Sequence, residues 1–198
     1  MPAAVLLSLL LVWHWPLVPP LPPHGPGYFP DKATTEIVIL QDEQRMLLFE
    51  SGKFFRAFPI STGMPATRET TTPAWRGPIG KYWGTFSSFG TTQDHGYWLF
   101  TDYLPDGSWN GDILIHGAPY TLGPDGEKVY RTEQIGKIPV SHGCIQLLPD
   151  DAEWFRAWDP IGVAVTIEPL SRDVGTYPRV VYAAQLVGEA LAGSTGNR

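Results

Sequence analysis

A single cysteine, Cys144, stands in 198 residues, which excludes an internal disulfide framework and zinc sites built from several thiolates. Charge is also scarce. Asp, Glu, Lys and Arg make up 17% of the chain, against the usual quarter, and 14 basic residues against 20 acidic leave a net charge of −6. A nucleic-acid binder would present a basic footprint, so no nucleic-acid partner is expected. No apolar run reaches the roughly 20 residues that span a bilayer comfortably, and no internal repeat is visible. In their place stand 21 glycines, 20 prolines and 13% aromatics. Turn formers and aromatics in that proportion describe a loop-rich, mainly β protein. The length suits one domain, which can bury about 70% of its unfolded surface without a metal or disulfide.

Residues 1–30 contain no Asp, Glu, Lys or Arg. Ala3 to Val12 is apolar except for Ser8, and Trp13, His14, Trp15 and Pro16 follow. Residues 1–18 therefore read as a signal peptide or a weak membrane anchor, although a basic start and a clear A-x-A cleavage site are missing. Seven prolines between 16 and 30 favour extended polyproline II, so 19–32 reads as a spacer. The folded body is expected to start near Ala33.

Along the body, Thr35–Gln41, Arg45–Glu50 and Lys53–Ser61 read as three consecutive strands joined by tight turns. The turn-rich segment from Ser61 to Pro78 reads as a surface loop, too polar for core. Further strands are expected at Lys81–Phe89, Tyr97–Asp102, Asp112–His116 and Gly162–Glu168. Pro149, followed by Asp150, Asp151 and Glu153, opens a short helix through about Trp158, because proline fits the first turn and acids suit the positive end of the helix dipole. Residues 170–198 form a C-terminal extension, with a helix from Pro178. The strands do not alternate with helices, so the expected fold is mainly antiparallel β with one or two short peripheral helices.

The chemistry centres on Ser141-His142-Gly143-Cys144-Ile145-Gln146-Leu147. A nucleophilic thiol needs a base within about 3 Å. His142 lies two residues away and, on extended backbone, would share a face with Cys144. His116 ends a strand, with Gly117 after it and 27 residues between it and Cys144. Base and nucleophile usually come from different segments held by a rigid scaffold, which tilts the choice slightly to His116. His95, His14 and His24 read as structural or incidental. Zinc held by His116, His142 and Cys144 would lack a carboxylate with a clear role, so no metal is expected.

His116-Gly117-Ala118 followed by SHGCIQL at 141–147 resembles the signature of the L,D-transpeptidase (YkuD) domain family. The resemblance extends over 33–169. TEIVILQDEQRMLLFESGKFFRAFPISTG resembles the opening three strands of that domain. TTPAWRGPIG resembles its T-P-x-G segment with Ala74 in place of glycine, and DDAEWFRAWDPIGVAVTI resembles the helix and last strand after the cysteine. The resemblance implies a β-sandwich with a helix-bearing flank, and a cysteine enzyme without cofactor acting on peptidoglycan stem peptides outside the cytoplasm. Cys144 would be the acyl-accepting nucleophile and His116 the base. His142 would support the site by hydrogen bonding, and Ser141 and Gly143 would shape the pocket, with main-chain N–H groups near Gly143 and Cys144 serving the oxyanion. Gln146, Gly117 and Tyr120 are the expected substrate contacts.

Gln146 stands where the family commonly has Arg and sometimes Asn, so a charged fork gives way to a neutral amide. The long stretch 117–140 reads as a loop capping the cleft, with Tyr120 and Tyr130 available to a peptide. The expected reaction joins two stem peptides in a 3→3 cross-link or exchanges the terminal D-residue. The alternatives are an L,D-carboxypeptidase using the same residues, or a catalytically silent wall-binding module.

Overall fold

The computed structural model describes residues 27–171. The expected signal or anchor, the spacer up to Pro26 and the helix from Pro178 lie outside the described residues. No helix among the described residues is long and apolar enough to cross a membrane.

The opening hairpins follow the sequence closely: β1 (Thr35–Leu40), β2 (Arg45–Glu50) and β3 (Lys53–Ser61) run antiparallel in order. β4 (Trp75–Pro78), β5 (Tyr82–Ser88), β6 (Thr91–Tyr103), β7 (Trp109–Gly117), β8 (Tyr120–Leu122) and β9 (Lys128–Tyr130) follow. β10 (Ile145–Leu147), the helix α1 (Pro149–Trp158) and β11 (Ala164–Ile167) complete the domain. The strands lie in the order β4-β11-β1-β2-β3-β10-β7-β6-β8-β9, with β5 on β6. Two neighbours are parallel, β1 with β11 and β7 with β10; the remaining pairs are antiparallel, as the absence of strand–helix alternation implied.

β3 hydrogen-bonds β2 on one side and β10 on the other, joining the two halves of the sheet. One apolar cluster fills the space between them. It includes Ile37, Ile39, Val165 and Ile167 from one half and Ile113, Ile115, Ile145 and Leu147 from the other, all at most 3% exposed. A sheet folded over a shared core is the sandwich expected. α1 covers it with Ala152, Phe155 and Trp158, a stripe of buried residues three apart. Pro149 opens this helix, Asp150 and Asp151 fill its first turn, and Asp159 ends it in the left-handed conformation (φ 53°).

Two expectations change. The end of the expected spacer is docked: Pro30 is buried, its carbonyl accepts from Trp158 Nε1 (2.9 Å), and Phe29 packs on Trp154. The polar segment 61–78 is not a surface loop, since Arg68, Thr71, Thr72 and Pro73 are buried and β4 pairs with β11. Its polar groups have partners inside. Arg68 pairs with Asp102 (3.2 Å), and Gln41 Nε2 donates to the carbonyls of Thr72 and Glu168. Polarity did not signal exposure here because the hydrogen bonds come from distant segments.

Candidate active site

β7 and β10 run parallel with Ile115 beside Ile145 and His116 beside Gln146. Alternation turns Ile113, Ile115, Ile145 and Leu147 into the core, so Asp112, Leu114, His116, Cys144 and Gln146 share the opposite face. Two segments separated in sequence thus present His116, near the end of β7, and Cys144, just before β10, on one face. Cys144 is half-buried. Its thiol donates to the Asp112 carbonyl (3.6 Å), and the Leu114 main-chain N–H points at the sulfur.

His116 is buried, and its Nδ1 lies 2.7 Å from the Gly117 carbonyl. A carbonyl only accepts, so Nδ1 carries the proton and Nε2 keeps the lone pair. The Phe86 ring meets the imidazole edge-on at 5.4 Å. Burial, opposed by the bond to Gly117, lowers the His116 pKa to about 4. Burial also pushes the Cys144 thiol up to about 11, helped by the Asp112 carboxylate and opposed by Leu114. At neutral pH the resting pair is therefore thiol and neutral imidazole, not thiolate and imidazolium. Such a site can move a proton as the sulfur attacks.

The SHGC segment is held from several sides. The Ser141 hydroxyl donates to the Cys144 carbonyl and accepts from Gly143 N–H. Ser141 also bridges to Gly63, just past β3, and its N–H donates to the Thr62 carbonyl. Thr72 supplies a link that the sequence reading missed: its hydroxyl donates to the Gly143 carbonyl (2.7 Å) and accepts from Gly63 N–H (2.7 Å). Gly143 has φ +116°, and a Cβ there would sit 2.9 Å from Ile113. Gly63 is tighter, since its Cβ would lie 2.1 Å from the Thr70 carbonyl oxygen. Thr72 had no local signal as a site residue, because its partners lie 9 and 71 residues away.

The other expected site residues are distributed unevenly. Gln146 is 8% exposed, beside His116, and its side-chain amide makes no hydrogen bond among the described residues. Gly143 N–H is committed to Ser141 instead of standing free for an oxyanion. His142 is exposed and stacks on Phe89 at 4.0 Å, making no hydrogen bond to Cys144 or His116. Gly117 packs against Ala152 and Asp94 and gives its carbonyl to His116. Tyr120 is buried, bonded through its hydroxyl to Asp94 and packed on Tyr130. Part of the expected capping loop is thus the β8–β9 hairpin, attached to β6 through the pair Thr92 and Tyr120.

A sequence model of the L,D-transpeptidase catalytic domain (YkuD) matches residues 34–167. The chain belongs to this family. It is 31% identical over 139 residues to YciB of Bacillus subtilis (strain 168), whose name places it among the L,D-transpeptidases; that match covers 65% of this chain and 63% of the relative. It is 30% identical over 129 residues to L,D-transpeptidase 1 of Mycobacterium tuberculosis H37Rv, covering 60% of this chain and 43% of the relative. The matches thus span less than two thirds of either relative. Similar solved structures include an L,D-transpeptidase from Mycobacterium smegmatis (20% identity, TM-score 0.48, 68% of this chain and 58% of that one). Another is the L,D-transpeptidase LdtMt1 in complex with imipenem (21% identity, TM-score 0.49, the same coverage).

Proposed function

We propose that the chain is a cysteine-dependent L,D-transpeptidase that acts on peptidoglycan stem peptides outside the cytoplasm. The observation that supports the reading is the parallel β7–β10 pairing, which puts His116 and the chain just before β10, where Cys144 lies, on one face, with the His116 Nδ1 proton held by the Gly117 carbonyl and Nε2 left with its lone pair. Cys144 Sγ attacks the carbonyl before the terminal D-residue of a donor stem. As the C–S bond forms, His116 Nε2 takes the thiol proton, then returns it to the amine that leaves. The Cys144 main-chain N–H faces the developing oxyanion. An amine of a second stem resolves the thioester in a 3→3 link; a free D-amino acid would give exchange. Gln146, with an uncommitted amide next to His116, contacts the donor peptide.

The test is the intact mass of the full chain after mixing with a disaccharide-tetrapeptide, beside Cys144→Ala and His116→Ala. A tripeptidyl adduct is expected on the parent, none on Cys144→Ala, and one at least 100-fold slower to form on His116→Ala, in line with the usual contribution of a general base. No adduct on folded parent protein would overturn the reading and favour a silent wall-binding module.

A further inference from the structure

The turn between β1 and β2 reads Gln41-Asp42-Glu43-Gln44. Its two acids are exposed, as a polar turn should be, yet both glutamines are buried. Gln44 is 2% exposed and has φ +52°, in the left-handed region that residues with a side chain seldom occupy. Such a conformation persists only where the surroundings hold it. The β2–β3 ladder ends with Arg45 opposite Pro59, and the Gln44 carbonyl still accepts from Ile60 N–H (3.0 Å). The chain then turns away, so the next N–H on that side, that of Thr62, meets a side chain instead. Gln44 Oε1 accepts from it (2.8 Å), while Nε2 donates to the Thr62 hydroxyl (2.8 Å) and to the Gln41 carbonyl. The amide of Gln44 thus stands in for a peptide group and carries the ladder one step further.

Thr62 is where the SHGC turn is attached. Its carbonyl accepts from Ser141 N–H (3.0 Å), and the Ser141 hydroxyl donates to the Cys144 carbonyl. Gln41 reaches the same turn by a second line. Its Nε2 donates to the Thr72 carbonyl, and the Thr72 hydroxyl donates to the Gly143 carbonyl. Gly143 C=O and Cys144 N–H belong to one planar peptide, so the direction of that carbonyl fixes the direction of the N–H. The β1–β2 turn is therefore wired to both peptides that flank Cys144.

We infer that Gln44 is a positioning residue for Cys144: its side-chain amide fixes the chain at Thr62 and, through Ser141, sets the aim of the thiol at the donor carbonyl. The inference rests on the proposed acyl-enzyme. Gln44 acts through Thr62 and Ser141, not on the reacting atoms, so its loss lowers the rate of acylation at saturating donor and leaves donor binding alone. A misplacement of about 1 Å at the nucleophile costs on the order of 100-fold in rate. Asparagine is one methylene too short to replace this amide. An ionised glutamate has no proton for the Thr62 hydroxyl or the Gln41 carbonyl, whereas a protonated one has.

Two measurements on the full chain test this, with Trp158→Phe as a destabilised control remote from the turn. The first is the rate of adduct formation with the disaccharide-tetrapeptide as a function of donor concentration. Gln44→Met is expected to be at least about tenfold slower at saturating donor, with the half-saturating concentration within about twofold of the parent. Gln44→Glu should be about tenfold slower than the parent at pH 8 and within about threefold at pH 5, where burial keeps the introduced carboxyl protonated. The second uses the single cysteine: nitrogen-15 cysteine labelling gives one amide resonance, that of Cys144. It should be displaced in Gln44→Met and stay in place in Trp158→Phe. An adduct formed by Gln44→Met at the parent's rate, or equal slowing by Trp158→Phe, overturns the positioning role and leaves the enzyme reading intact. Should Gln44→Met fail to fold, a rate of Gln44→Glu relative to the parent that is the same at pH 5 and pH 8 overturns it as well. No adduct on the parent, with the resonance displaced in Gln44→Met alone, overturns the enzyme and keeps the link from Gln44 to Cys144. Neither adduct nor displacement overturns both.

Discussion

Burial makes His116 a weak base at rest and also a source of acid sensitivity. Its folded pKa is about 4 against an ordinary 6.5. The imidazole therefore contributes stability that is present above pH 6.5 and lost as the pH falls towards 4, where the unfolded chain binds a proton that the native site refuses. His116→Gln should remove about 3 kcal/mol of the stability lost between pH 7 and pH 4, read from urea unfolding at both values. Cys144 has the opposite window. Its folded pKa near 11 lies above the ordinary value of 9.0, so stability is retained below pH 9 and lost as the pH rises towards 11. Titrated by absorbance of the thiolate, the free enzyme should show ionisation near pH 11. An apparent value below 8 would replace the neutral pair with a preformed thiolate. At this scale the sequence singled out the lone cysteine and left His116 and His142 as candidate bases, with the family resemblance deciding for His116. The tautomer was not legible, because it depends on a carbonyl whose direction is set by the end of β7.

At the scale of elements, the segment 61–78 and its contact with the SHGC turn decide how rigid the site is. Thr72 joins Gly63 to Gly143 with one hydroxyl. Thr72→Val keeps the shape but leaves a buried N–H and a buried carbonyl without partners, so it should cost about 2–4 kcal/mol and slow acyl-enzyme formation more than a remote variant of equal destabilisation. Urea unfolding and the adduct rate check this together. On the far side, α1 holds the chain entering the domain through Trp158 Nε1 and the Pro30 carbonyl. Trp158→Phe keeps most of the ring but leaves that carbonyl unpaired, with an expected loss of about 1–3 kcal/mol by the same measurement. The strands β1 to β3 and the helix were legible because their hydrophobic alternation, turn residues and Pro–acid start are local signals. The segment 61–78 misled because its hydrogen-bond partners lie tens of residues away, and polarity alone carries no record of them.

At the scale of the whole molecule, β3 belongs to both halves of the sheet, and a single apolar cluster draws on both. The two halves should not unfold separately. Urea unfolding followed by far-ultraviolet circular dichroism and by indole fluorescence is expected to give coincident transitions. Two separate midpoints would mean that the β4-β11-β1-β2 half has a stability of its own. This shared core is also what places β7 next to β10, although 27 residues separate His116 from Cys144.

The sequence by itself determined the strand-rich class, the positions of the first three strands and the helix, and the family. These depend on residue type and short-range spacing, which the chain carries openly. Only the tertiary structure decided that polar Thr72 is a buried clasp, that His142 stacks on Phe89, and that Tyr120 is tied to Asp94. Each of these is a relation between residues far apart in the chain, and such relations exist only once β3 and the common core have brought the segments together.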